Sequence, residues 1–480
     1  MDEFIGRKRE LDLLQRQLER VRAGGRAGRP GRAILMRGRR RVGKSRLAEE
    51  FIDQARAPYL YFTASAQRST ELDLRLFTQA AAASSLPGTR VFEGQSPADW
   101  PAAFSLLGAS LSDDQPCIVV IDELPYLIGN DPGFEGSLQA AFDRELSRKP
   151  VLLLCIGSDL AMMEALNAHG RPFHQRATEL VVRSLSPADV ADMVGLPAAQ
   201  ALDAYLICGG LPLILDEWPH GMPVLDYLAS ALADPTSALL VSGERSLAAE
   251  FPAETSARVV LSAIGSGART HALVGRAAGD VPSATLSRAL HLLTEKRIVL
   301  AQKPLSTVPS RETRYSIADP HLRFWLAFLG SSMPESERGR SDLVLARIER
   351  SWTSWRGEAI EPVIRESLRR LPAEALPENT YVIGGYWTRT NDPQIDIVGA
   401  DREPIARHIT AVGSIKWLEN RPFDRHDLHE LIVHRSRMPG TDQHTTLIAV
   451  TRAGVDTPDV TAFTPDDLVQ AWLYPEPASR

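Results

Sequence analysis

Gly38-Arg39-Arg40-Arg41-Val42-Gly43-Lys44-Ser45 constrains this chain more than any other stretch, because it fits G-x-x-x-x-G-K-[ST] and its flanks fit too. Before it, the apolar run Ala33-Ile34-Leu35-Met36 reads as a buried strand. After it, Arg46-Leu47-Ala48-Glu49-Glu50-Phe51-Ile52 reads as a helix with Leu47, Phe51 and Ile52 on one side. Strand, loop and helix in that order make a phosphate-binding loop. Glycines let backbone N–H groups curl around phosphate oxygens while the helix turns its positive end to the same anion. Lys44 is placed to reach the β- and γ-phosphates, and the Ser45 hydroxyl to hold Mg²⁺. Gly38, Gly43, Lys44, Ser45 and Arg46 are therefore the nucleotide-binding candidates of this segment.

With 480 residues the chain exceeds one ordinary core. Its formal charge of −6 excludes a globally basic nucleic-acid binder. Arginines crowd the segment from Arg16 to Arg46, but most of them surround the phosphate loop and say little about DNA. Cys117, Cys155 and Cys208 lie in apolar surroundings without close spacing, as buried thiols of a reducing compartment do. No apolar run approaches a membrane span, and the N-terminus is charged (Asp2, Glu3, Arg7, Lys8, Arg9) where a signal peptide is apolar. The expectation is a cytoplasmic chain with no membrane partner.

Ile118-Val119-Val120-Ile121 reads as a strand ending in Asp122-Glu123. An acid at the carboxyl end of a buried parallel strand suits a second magnesium ligand, and Glu123 beside it suits the base that polarises the attacking water. The competing reading makes Asp-Glu a helix cap, since Leu124-Pro125-Tyr126 follows. A third apolar strand, Val151 to Ile156, ends at Gly157-Ser158-Asp159. Ser158 is the candidate to face the γ-phosphate, with Asp159 capping the helix from Leu160. Arg176, in an arginine-bearing loop, is either a residue that stabilises charge on the transferring phosphoryl group or a surface residue.

Phe4-Ile5-Gly6-Arg7-Lys8-Arg9-Glu10-Leu11 resembles the F-x-G-R-x-x-E-L opening of AAA+/STAND-type ATPases. The phosphate loop, Val120-Ile121-Asp122-Glu123, Gly157-Ser158 and Arg176 follow in that family's order, and Gly209-Gly210-Leu211-Pro212 resembles the STAND G-x-P element. Within that group the chain resembles the archaeal-type ATPases, which also occur in bacteria. The resemblance covers roughly residues 1 to 235. It implies that Ile5 and Gly6 lie near the adenine of ATP, and that a helical lid brings Pro212 to the nucleotide.

Residues 255 to 317 follow another pattern. Ala257 to Ile264 reads as a helix, Thr270 caps a second helix through Ala278, and Pro282-Ser283 opens a third with Leu286, Ala289, Leu290 and Leu293 on its apolar face. Strands at Ile298-Val299-Leu300 and Arg314-Tyr315-Ser316-Ile317 enclose a Pro/Ser/Thr-rich loop. Three helices and a hairpin resemble a winged helix-turn-helix, whose recognition helix would present Ser283, Thr285, Ser287, Arg288 and His291, with Arg311 and Arg314 flanking the wing. Arg288 and Arg311 are the candidate contacts to double-stranded DNA. The other reading is a module that packs only against protein.

Ile317 to Trp325 resembles the Y-x-I-x-D-P-x-L-R-F-W segment that joins the ATPase of this family to a PD-(D/E)XK nuclease-like module. A helix bearing Glu358 and Glu361 (Gly357 to Leu368) precedes a strand Gln394-Ile395-Asp396-Ile397-Val398, and another strand ends Val412-Gly413-Ser414-Ile415-Lys416-Trp417. Asp396 and Lys416 match the strand acid and the lysine of that class, and Glu361 its helix acid, which makes Asp396 and Glu361 metal candidates. Ser414 stands where a carboxylate belongs, and a hydroxyl is a far poorer ligand for a hard dication. The tail is then a weakened nuclease, a retired one that grips a partner, or a strand edge without chemistry. His426 and His429 sit three apart, and we assign them no zinc.

The expected architecture is α/β. It comprises a P-loop NTPase parallel sheet (1–180), a helical lid (181–250), a winged helix-turn-helix (251–330) and an α/β restriction-endonuclease-like domain (331–480). Three functions remain open: an ATPase switch acting on DNA, an ATP-gated nuclease, and a non-enzymatic ATP-liganded regulator. A homo-oligomer is also open as a partner.

Overall fold

The computed structural model describes residues 4–24, 29–166, 168, 170–171, 176–250, 256–265, 267 and 269–473. The chain divides into two compact units, residues 1–184 and 185–480.

The first unit is built on five parallel strands, β1 (Arg32–Arg37), β2 (Tyr59–Thr63), β3 (Cys117–Asp122), β4 (Val151–Gly157) and β5 (Ala177–Val181), in the order β2-β3-β4-β1-β5. Every residue of β3 and β4 is buried, which explains why both read as unbroken apolar runs rather than alternating ones. On one face Leu14, Leu18 and Val21 of the first helix meet Leu47 and Phe51 of the helix Lys44–Ala55. On the other, Phe62, Phe77, Trp100, Phe104 and Phe134 form edge-to-face and stacked ring contacts. Each such side chain contributes about 1.5–3 kcal/mol by leaving water. The sheet order matters to function, because β4 lies between β1 and β3. Gly157-Ser158 at its end therefore falls between the loop after β1 and the acids that end β3, at the carboxyl edge where open α/β sheets bind ligands. This is a parallel α/β sheet with a phosphate-binding loop and strand-end acids gathered at its carboxyl edge.

The second unit begins with helices Pro187–Val194, Ala198–Cys208, Pro212–Leu215, Val224–Ala233 and Ala238–Glu250. Helices Ser256–Ile264, His271–Ala277 and Ser283–Glu295 follow, with a small sheet of β6 (Arg269–Thr270), β8 (Arg314–Ile317) and β7 (Val299–Gln302) in that order. Thr270 caps the second of these helices by accepting from Leu273 N–H. Leu286, Ala289, Leu290 and Leu293 are all buried.

The helix expected over Gly357 to Leu368 runs instead through Ser341–Arg370, 30 residues. Val344, Ile348, Trp352 and Trp355 carry the buried stripe upstream of the predicted start, at spacings of three and four. This helix packs on a second sheet, β9 (Val382–Trp387), β10 (Gln394–Ala400), β11 (Ile409–Lys416), β12 (Thr446–Thr451) and β13 (Thr461–Phe463), in the order β13-β12-β11-β10-β9. The pairs β9–β10–β11 are antiparallel and β11–β12–β13 parallel. Among the described residues no single helix is long and apolar enough to cross a membrane. The bent pair Val224–Ala233 and Ala238–Arg245 is apolar because Leu228, Leu232, Leu239 and Leu240 are core.

Candidate functional site

The loop after β1 is shaped by backbone sterics. A side chain at Gly38 would strike the Val182 carbonyl oxygen at 2.2 Å, so only glycine fits there. Gly43 has φ +88°, a left-handed conformation that releases the chain into the helix Lys44–Ala55. Arg41 adopts φ 67° without being glycine. Lys44 is buried, and its Nζ donates to the carbonyls of Gly38 and Arg39, both at 2.9 Å. Burial pushes the ammonium down to about 8, against the opposing pull of Glu123 and Asp122.

The acids at the end of β3 complete this site. Asp122 is buried, and its Oδ2 accepts from Ser45 Oγ at 2.7 Å and from Tyr61 Oη at 2.9 Å, while Oδ1 accepts from Glu123 N–H at 2.9 Å. Glu123 precedes the helix Leu124–Asn130 at φ 56°, yet its side chain makes no capping bond. Instead its two carboxylate oxygens accept from Ser158 Oγ at 2.9 and 3.2 Å. Asp159 does cap its helix, accepting from Met162 N–H. Ammonium, hydroxyl and carboxylate donors at the foot of a helix fit a triphosphate and the hard dication Mg²⁺. Sequence reasoning missed Tyr61. Burial first, and then the Asp122 charge, push its phenol upward, so it stays a proton donor.

The N-terminal segment is tied to the loop by the arginine of its F-x-G-R opening. Arg7, buried at φ 61°, donates from Nη2 to the Val42 carbonyl at 2.8 Å and pairs with Glu10. Ile5 and Gly6 directly precede this anchored arginine. Arg46 is exposed and lies 3.7 Å from Glu49. The Arg176 guanidinium contacts both oxygens of Asp143 at 2.9 and 3.0 Å. In the second unit, Pro212 opens the short helix Pro212–Leu215, one residue beyond Gly209 and Gly210, both at positive φ.

The two arginines proposed for DNA stand apart in character from their neighbour Arg314. Arg288 is exposed on the Ser283–Glu295 helix, 3.4 Å from the Thr285 hydroxyl, and Arg311 is exposed in the hairpin loop. Arg314 is engaged internally: it stacks on Trp387 at 4.5 Å and donates to Asn391 and Gln394 at 2.7 and 3.2 Å. The hairpin loop also pairs with the C-terminal sheet, through Leu305 N–H to Gly385 O and Ala406 N–H to Ser306 O, both 2.9 Å. Of the two arginines that flank the hairpin loop, Arg314 is thus held by the C-terminal sheet and Arg311 stays exposed.

In the C-terminal sheet the predicted residues do converge. Ile395 and Ile397 are buried in different apolar clusters, because a bulge between Ile395 and Val398 breaks the alternation of the strand, and Asp396 Oδ2 accepts from Ile415 N–H at 2.9 Å and from Ser414 Oγ at 3.4 Å. Arg365 spans Glu361 at 3.2 Å and the Asp396 carbonyl at 2.8 Å. Burial, and then the Asp396 charge, raise Glu361, and burial raises Asp396. A cleft of about 330 Å³ opens here, lined by Asp396, Ser414, Lys416, Asp427, Glu430 and His434 among others. Lys416 lies across it at 2.8 Å from the buried Asp427, which also takes Arg421 at 3.0 Å. Asp427 begins the helix Arg425–Arg437 and was not legible from the lysine's own strand. Among the described residues no group of three or more His, Cys, Asp or Glu side chains is placed to hold a metal ion.

A second unanticipated cluster joins distant parts of this unit. Buried Asp203, on helix Ala198–Cys208, accepts from Arg356 at 3.0 Å, Arg452 at 2.5 Å and Trp417 Nε1 at 3.2 Å. Glu419 adds a further carboxylate, 2.9 Å from Arg356.

Residues 325–428 match the family DUF234, described as archaeal and bacterial proteins of unknown function. An uncharacterized protein of Methanocaldococcus jannaschii is 25% identical over 456 residues, 93% of this chain and 95% of that protein. Among solved structures, the Walker-type ATPase of Pyrococcus abyssi aligns at a TM-score of 0.47 and 18% identity, over 68% of this chain and 96% of its own. The Orc2 protein of Aeropyrum pernix, in its ADPNP–ADP complexes, aligns at 0.43 and 14%, over 73% of this chain and 98% of its own.

Proposed function

We propose that this chain is an ATP-hydrolysing molecular switch whose nucleotide state governs how the second unit engages double-stranded DNA. One constellation carries the reading: Lys44 wrapped by its loop, Ser45 bonded to Asp122, and Glu123 beside Ser158 at the end of the neighbouring strand. Hydrolysis adds water to the γ-phosphorus and breaks the bridging bond to the β-phosphate. Ser45 and Asp122 would hold Mg²⁺, which would supply charge neutralisation to the phosphates. Lys44 exchanges two neutral carbonyl acceptors for phosphate oxygens. Glu123 orients the water and takes its proton, and Ser158, bonded to Glu123, relays loss of the γ-phosphate. Arg176, released from Asp143, would add positive charge to the transferring group. Ile5 and Gly6 lie near the base, as the family resemblance implies.

Toward DNA we assign the exposed face of the Ser283–Glu295 helix, with Arg288, and the hairpin residue Arg311, in a winged helix-turn-helix. The captured Arg314 leaves the helix as the main reading element. A retired PD-(D/E)XK module suits the tail better than a working nuclease, because Ser414 replaces a ligand and Lys416 is paired. A second reading, a non-enzymatic regulator liganded by ATP, draws support from the Ser158 bond that occupies both Glu123 oxygens.

The deciding experiment measures ATP turnover by the full chain with Mg²⁺, with and without duplex DNA, beside plasmid nicking. Turnover that Lys44→Ala abolishes, stimulated by DNA and without nicking, is the expected result. Tight ATP binding without turnover selects the regulator, and nicking lost on Asp396→Ala selects the nuclease.

A further inference from the structure

Tyr61 sits on β2, whose parallel register with β3 pairs Tyr61 with Val120 and Thr63 with Asp122. It is therefore two residues before the partner of Asp122, on the same face of the sheet, a diagonal distance that a long aromatic side chain bridges. Its ring packs partly buried against the Leu47, Phe51 and Val120 core, so the hydroxyl is aimed by packing rather than by chance. That hydroxyl donates to Asp122 Oδ2, the oxygen that also accepts from Ser45. With Glu123 N–H on Oδ1, all three bonds to the carboxylate come from fixed elements: the helix after the loop, β2 and the β3 terminus. A carboxylate on an unbranched stem otherwise swings about its terminal torsion, which is broad.

We propose that Tyr61 is a positioning residue for the magnesium site, holding Asp122 in the orientation that receives the dication. The inference rests on the ATP reading of this site. Partners that orient metal-associated carboxylates typically change metal affinity by about 10–100-fold when removed. Tyr61→Phe keeps the ring and deletes the donor. Binding of a fluorescent, non-hydrolysable ATP analogue to the full chain, titrated with Mg²⁺, reads the effect without turnover. The variant should need about tenfold more Mg²⁺ for half-maximal binding and match the wild type in EDTA. In an Asp122→Asn background the same substitution should add almost nothing, because it acts through that carboxylate. An unchanged Mg²⁺ requirement overturns the proposal, as does an equal loss in EDTA or in the Asp122→Asn background. If the wild type binds no nucleotide under any condition, the phosphate-loop reading fails and takes this one with it.

Discussion

Two lysines distinguish the phosphate loop from the C-terminal cleft. Lys44 is buried and, among the described residues, hydrogen-bonded only to backbone carbonyls, while Lys416 is half-exposed and paired with a buried carboxylate. Neutral carbonyls are weak partners for an ammonium, so an incoming phosphate displaces them readily. Asp427 is a full charge with little water to replace the lysine, so exchange there leaves a buried anion uncompensated. In the loop's site Ser45, Asp122, Glu123 and Ser158 form one hydrogen-bonded set, whereas around Lys416 one acid is a serine. The proposed ATP site requires a loosely held cation beside firmly held anions, and the loop has that arrangement while the cleft does not.

The largest test of that contrast is Glu123→Gln. The amide keeps the shape and loses the proton acceptor, so kcat for ATP should drop about 10²–10⁴-fold with nucleotide binding retained. An unchanged kcat would place the base elsewhere and remove the main evidence that the loop is a working site.

Next in size is Asp203→Ala, which leaves Arg356 and Arg452 with only the exposed Glu419 in place of their buried carboxylate. Breaking such a pair costs about 3–5 kcal/mol, read as a lower denaturation midpoint. Full stability would mean that the C-terminal region does not depend on this long-range cluster.

The pH response separates the two lysines more finely. Free Lys44 titrates near 8, depressed by burial, and bound phosphates favour its charged form. Above pH 8 nucleotide binding must then take up a proton, and affinity should fall by up to about tenfold per pH unit. Calorimetry in buffers of different ionisation enthalpy would detect the proton. A flat profile from pH 7 to 9 would show that Lys44 is not the depressed group.

The smallest expected change is a gain. Ser414→Glu restores a carboxylate two residues before Lys416, on the Asp396 face of β11, and should confer weak Mg²⁺ binding that Asp396→Ala on top removes. Mg²⁺-dependent cleavage by the wild type would instead erase the distinction between the two sites.

What was legible in the sequence follows from how far apart the cooperating residues are. The loop, its flanking strand and helix, and the Asp122-Glu123 strand end were readable because each is local: glycine spacing, a buried run and an acid at its terminus. Ser414 was recognised as a misfit for the same reason, lying two residues from its lysine. The long helix was read too short because its second half carries the chemistry and its first half only packs. Tyr61, Asp427, Asp203 and the captured Arg314 carry no local signal, since their partners lie on other elements. Composition and periodicity determined which segments are buried and where a phosphate loop must form, because backbone sterics and hydrophobic burial act over a few residues. Strand order, register and helix packing decided which carboxylate each cation meets, because electrostatic pairing depends on distances that chain position does not encode.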